Sequence, residues 1–182
     1  MTVRKRIRPF LAGAALLLAG SSMIPSGSAR AGEPPAPAVA DCTVNGRPVA
    51  GSAVTGGQGF DEIDCPYGVP AGVVVAGGGG IDVITVRGGN AGSVDGGDGA
   101  DMIEINGGNS GRVAGGAGGD LVDLIGDADA NSGIVSGGPG DDVLFLRAED
   151  TAGTGVVTGD TGSDVCLFDP DLSGARDCEV MV

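Results

Sequence analysis

Six aspartates recur at the sixth position of a glycine-rich loop: Asp61, Asp82, Asp101, Asp120, Asp142 and Asp164. They are the residues of this sequence best placed to do chemistry. Their loops read Gly56-Gly57-Gln58-Gly59-Phe60-Asp61, GGGGID from Gly77, GGDGAD from Gly96, GGAGGD from Gly115, GGPGDD from Gly137 and a degenerate GDTGSD from Gly159. Glycines at the first, second and fourth positions are expected to take φ > 0 and let carbonyls converge, while the aspartate adds a charged oxygen. Such oxygens suit Ca2+, which accepts six to eight of them in flexible geometry, better than Mg2+, which insists on a tight octahedron. Carboxylates stacked on strands about 4.8 Å apart would repel one another. A Ca2+ ion between each adjacent pair, about five in all, is therefore the expected cofactor. Aspartate also favours turns for its own hydrogen bonds, a role that needs no metal. Asp98 and Asp160 are loop variants, expected either to add oxygens to the sites or only to face water.

Other chemistries are largely excluded. The 182 residues include no His and no Trp, one Tyr and four Phe, which removes imidazole as base, nucleophile partner or zinc ligand. No acidic pair stands apart from the loop pattern to serve as a glycosidase couple, so the chain is not expected to be an enzyme. Four cysteines in an exported chain favour disulfides over thiol or zinc chemistry. Cys42 and Cys65 open the repeat array and Cys166 and Cys178 close it. Of the three pairings, 42–65 with 166–178 is expected, because terminal coils have one neighbour only and gain most from a staple. Cys178 follows Val157 by about one repeat and is expected to share its inward position.

Residues 1–31 read as a secretory signal peptide: a basic start at Arg4-Lys5-Arg6, an apolar stretch from Phe10 to Gly20, and Ala29-Arg30-Ala31 at the cleavage point. The expected location is extracellular. The remainder keeps five Arg against all 24 acidic residues, a net charge of −19. That charge repels nucleic acid and anionic membranes, so neither is an expected partner, and no membrane insertion is expected.

The elements that must position the aspartates are legible from periodicity. Each loop is followed by alternating apolar residues: Ile63 and Cys65, Ile84 and Val86, Ile103 and Ile105, Val122 and Leu124, Leu144 and Leu146, Cys166 and Phe168. A Val stands two residues before every loop, at 54, 75, 94, 113, 135 and 157. Acidic chains poor in aromatics are often disordered, but disorder does not call for a Val at one phase six times over. Strand, loop, strand and second turn in repeats of 19 to 22 residues predict an all-β fold, a parallel β-solenoid of the β-roll or β-helix kind. It should have about six coils, with the GGxGxD loops stacked on one edge. The expected organisation is a signal peptide over 1–31, a Pro/Ala-rich linker over 32–41 and one solenoid over 42–182 with disulfide-capped ends. Residues 169–182 are read as a tail. The longer repeats should bulge around Asp127 to Asn131 and Glu149 to Thr154 on the opposite edge, as solvated loops.

Over residues 54 to 168 the repeats resemble the hemolysin-type calcium-binding repeats of RTX proteins, whose nonapeptide is GGxGxDxUx. The alternate turn lacks the motif, so the likeness is to a one-edged variant with repeats of about 19 residues found in large bacterial adhesins. The resemblance implies a secreted protein that folds or stiffens on binding extracellular Ca2+ through the six aspartates. The alternative expectation is an adhesion or surface-interaction protein that presents a solenoid face to a glycan, cell wall or protein. The third loop positions, Gln58, Gly79, Asp98, Ala117, Pro139 and Thr161, form no regular file of the kind an ice-binding face needs.

Overall fold

Residues that alternate apolar and polar over four or five positions bury one face only, and here each strand buries that face against a second strand of its own coil. A computed structural model describes residues 38–125, 131–147, 155–168, 175–178 and 180–181, all within the unit Ala36–Val182. The expected signal peptide and most of the expected linker lie outside the described residues. An antiparallel hairpin opens the fold, β1 (Ala40–Val44) and β2 (Arg47–Gly51), joined through Asn45 and Gly46. Thus β1 begins inside the segment read as linker.

Strands following the GGxGxD loops are β4 (Glu62–Cys65), β6 (Val83–Val86), β8 (Met102–Asn106), β10 (Leu121–Ile125), β12 (Val143–Arg147) and β14 (Val165–Phe168). Strands preceding or entering the loops are β3 (Ala53–Thr55), β5 (Val74–Gly79), β7 (Ser93–Asp98), β9 (Arg112–Ala117), β11 (Ile134–Pro139) and β13 (Val156–Thr161). Each set forms one parallel sheet in sequence order, and no helix occurs among the described residues. This is the parallel β-solenoid expected. The segment read as a tail extends it: β15 (Ala175–Arg176) adds to the sheet of β13, and β16 (Val180–Met181) to that of β14. At the other end, β1 pairs antiparallel with β4 and the hairpin covers the first coil.

The core is three residues wide per coil. Ile63, Ile84, Ile103, Val122, Leu144 and Cys166 pair in register down one sheet, and the six Val of the repeat line the other, all buried. Register survives the change from 19- to 22-residue spacing, because β10 and β12 still pair Val122 with Leu144. The extra residues therefore fall between β10 and β11 and between β12 and β13, where 126–130 and 148–154 lie outside the described residues.

Strands β5, β7, β9, β11 and β13 run on through the first three motif positions. Only the last three residues of GGxGxD make the turn. The fourth glycine is needed there twice over: Gly99 sits at φ 138°, and a Cβ on it would collide with the carbonyl of Gly80 in the coil before.

Both expected disulfides form. Cys42 bonds Cys65 with Cα atoms 4.2 Å apart, and Cys166 bonds Cys178 at 5.8 Å. Cys178 does not share the inward position of Val157; Ala175 pairs with Val157, and Cys178 lies three residues further on. The final coil is shorter than a full repeat, which brings Cys178 round to the edge where it reaches Cys166.

Candidate metal centre

Stacking brings all six predicted aspartates into one buried column. Asp82 and Asp142 have no exposed surface, and Asp61, the most accessible, is 8% exposed. The column is knit by hydrogen bonds of one direction. The main-chain N–H of Asp61 donates to Oδ1 of Asp82 at 2.8 Å, Asp82 to Asp101 at 2.7 Å, Asp101 to Asp120 at 2.8 Å, Asp120 to Asp142 at 2.8 Å and Asp142 to Asp164 at 2.9 Å. One oxygen of each carboxylate from Asp82 on therefore ties its coil to the coil before it, which is not the local turn bond that the residue type suggested.

The other oxygen is left over. Oδ2 of Asp82, Asp101, Asp120 and Asp142 is buried and has no hydrogen-bond donor among the described residues. An unsatisfied buried polar atom costs about 1–3 kcal/mol, and more if charged. The first glycine of each motif explains what these oxygens face. A Cβ on Gly115 would stand 2.6 Å from Asp120 Oδ2 and 2.5 Å from the carbonyl oxygen of Gly137 in the next coil. Gly77, Gly96 and Gly137 repeat the arrangement with Asp82, Asp101 and Asp142. A carboxylate oxygen and a main-chain oxygen thus converge with no hydrogen between them, and glycine is required because a side chain would fill the space. This corrects the expectation for the first position, where close approach and not φ > 0 selects glycine. The fourth position takes positive φ in all six loops and the second from the second loop on, Asp160 included at 73°.

Such a donor set, oxygen only and part carboxylate, fits a hard cation such as Ca2+. It is not a cage of acids: among the described residues no three His, Cys, Asp or Glu side chains converge, so main-chain oxygens and water would complete any coordination. Electrostatics point the same way. Burial, followed by the neighbouring carboxylates, pushes the acids of Asp120 and Asp142 up to about 6, against the opposing pull of the N–H each accepts. Asp101 is raised for the same reasons. The file resists carrying several uncompensated charges at once.

Asp98 and Asp160, the loop variants, are exposed and stand outside the column. Oxygens of Asp160 are instead engaged by Ser136 and Thr158.

A second column was missed in the sequence. On the opposite edge Asn90 Nδ2 donates to Asn109 Oδ1 at 2.9 Å, and Asn109 Nδ2 to Asn131 Oδ1 at 2.7 Å, all three side chains being buried. Asn131 was read as part of a solvated bulge, yet it is 7% exposed. The available signal was Asn two residues before a Gly in Asn90-Ala91-Gly92, Asn109-Ser110-Gly111 and Asn131-Ser132-Gly133. In the first coil Val69 holds the equivalent place.

Comparison of the chain with protein-family models, with characterised proteins and with solved structures found no match.

Proposed function

We propose that the protein is a secreted calcium-binding solenoid, similar to the RTX repeat proteins, whose fold is stabilised by Ca2+ held between adjacent GGxGxD loops. One observation carries the reading: a file of buried carboxylate oxygens, on Asp82, Asp101, Asp120 and Asp142, that lack a donor among the described residues and face carbonyls of the next coil. Bound Ca2+ supplies the positive charge that such a file lacks. The chain does the rest. Its glycines bring carbonyls to the carboxylates, its Oδ1 hydrogen bonds fix each carboxylate's orientation, and its two terminal disulfides hold the end coils. The disulfides suit an oxidising compartment, and no helix among the described residues is long and apolar enough to cross a membrane.

Circular dichroism of the chain from residue 32 on, in millimolar CaCl2 and in EDTA, tests the proposal. Expected is a large loss of β-signal or of thermal stability on chelation, restored by Ca2+ and not by Mg2+. Identical melting in both buffers overturns it.

One feature favours a second reading, surface interaction. Tyr67 is 81% exposed beside a groove of about 300 Å3 floored by Gly88, Gly89, Asn90 and Ser110. An aromatic ring beside polar groups suits a sugar ring. Binding of a glycan panel that Tyr67→Ala abolishes would support this reading, and no binding by either chain would end it.

A further inference from the structure

The six rungs of the aspartate column are not equivalent. From Asp82 to Asp142 each carboxylate receives one N–H, on Oδ1 from the preceding rung, and Oδ2 receives none. Asp61 has no preceding rung, yet both its oxygens are satisfied. Asn45 Nδ2 donates to Oδ1 at 2.6 Å, and the main-chain N–H of Gly57 donates to Oδ2 at 2.6 Å.

Both donors arise from local departures from the repeat. Asn45 sits at φ 52° in the two-residue turn between β1 and β2, a conformation asparagine tolerates well. It is locked to the first coil by its own N–H donating to Glu62 O at 2.8 Å and by its Oδ1 accepting from Glu62 N at 3.0 Å. Its amide therefore stands where the main chain of a preceding coil would be. Gly57 alone among the second-position residues of the motif lies outside the left-handed region, and this different backbone aims its N–H at the carboxylate.

We infer that amide hydrogens close the first rung in place of a metal ion, so that Asp61 ligates no Ca2+ although its loop carries the full motif. The hairpin is then a metal-independent lid on a metal-dependent rod. The inference rests on the calcium reading above.

Calorimetric titration with CaCl2 of the whole chain from residue 32, as wild type, Asp61→Asn and Asp101→Asn, tests it. Expected is an unchanged number of ions for Asp61→Asn and at least one fewer for Asp101→Asn. Loss of an ion in Asp61→Asn overturns the inference and leaves the calcium reading standing. A wild-type chain that takes up no Ca2+ overturns both. Should Asp101→Asn fail to fold, hydrogen exchange of the wild type in EDTA decides. Expected is that the amides of Gly57 and Glu62 stay protected after those of Asp101 and Asp120 have exchanged; simultaneous exchange of the two groups overturns the inference.

Discussion

Asn45 Nδ2 meets Asp61 Oδ1 at 2.6 Å across sixteen residues of chain, in the place that every later rung gives to an aspartate main-chain N–H. The oxygen of the same amide also accepts from the exposed Glu62 N, so its removal strands the buried Asp61 oxygen and leaves Glu62 N to water. Asn45→Gly keeps the positive φ and loses only the side chain. It should cost about 2 kcal/mol of stability, read as a lower urea midpoint with unchanged slope in saturating Ca2+.

The asparagine column makes a graded prediction. Asn109 donates to Asn131 and accepts from Asn90 and from Gly111 N, whereas Nδ2 of Asn131 has no partner among the described residues. Asn109→Ala should therefore destabilise by roughly 3 kcal/mol and Asn131→Ala by roughly half as much. Equal losses in urea denaturation would contradict the ladder.

Glycine to alanine should have opposite outcomes at two positions. Gly51 offers its Cβ nothing closer than 3.6 Å, so Gly51→Ala should be neutral or slightly stabilising, within about 0.5 kcal/mol. Gly115→Ala drives a methyl between Asp120 Oδ2 and Gly137 O. It should lower thermal stability by at least 3 kcal/mol and weaken Ca2+ uptake, as calorimetry would show.

Acid should stabilise the metal-free protein. The acids of Asp120 and Asp142 are raised to about 6 from an ordinary 3.8, so the folded chain binds protons more tightly than the unfolded one between those values. Their contribution is fully present below pH 4 and is lost as pH rises through 6. In EDTA the melting temperature should fall on the order of 5 °C from pH 5 to pH 7.5. In millimolar Ca2+ the trend should flatten or reverse, because protons and cation compete for the same oxygens.

Much of this architecture could be read from the residues. Val at a fixed phase and paired apolar residues after each loop fixed both sheets, their register and the aspartate column, because a solenoid repeats one local solution at every coil. The disulfide pairing followed from where the array begins and ends. What escaped were departures from the repeat. Asn45 lies outside the motif, and only its Asn-Gly turn marked a hairpin. The asparagine column was hidden by a spacing that changes from 19 to 22 residues. Assigning GGx to loops missed that glycine backbone carries the ladder as well as any residue, since parallel pairing asks only for N–H and C=O.

The direction of the aspartate hydrogen bonds gives the rod two chemically different tips. Donors point toward the C-terminal end and acceptors toward the N-terminal end, so a second molecule could in principle anneal head to tail by offering its last turn to Asp61. Asn45 already fills that acceptor, and Pro48 in β2 interrupts the outermost strand's row of N–H groups. One short hairpin thus makes a stackable fold a poor seed for filaments.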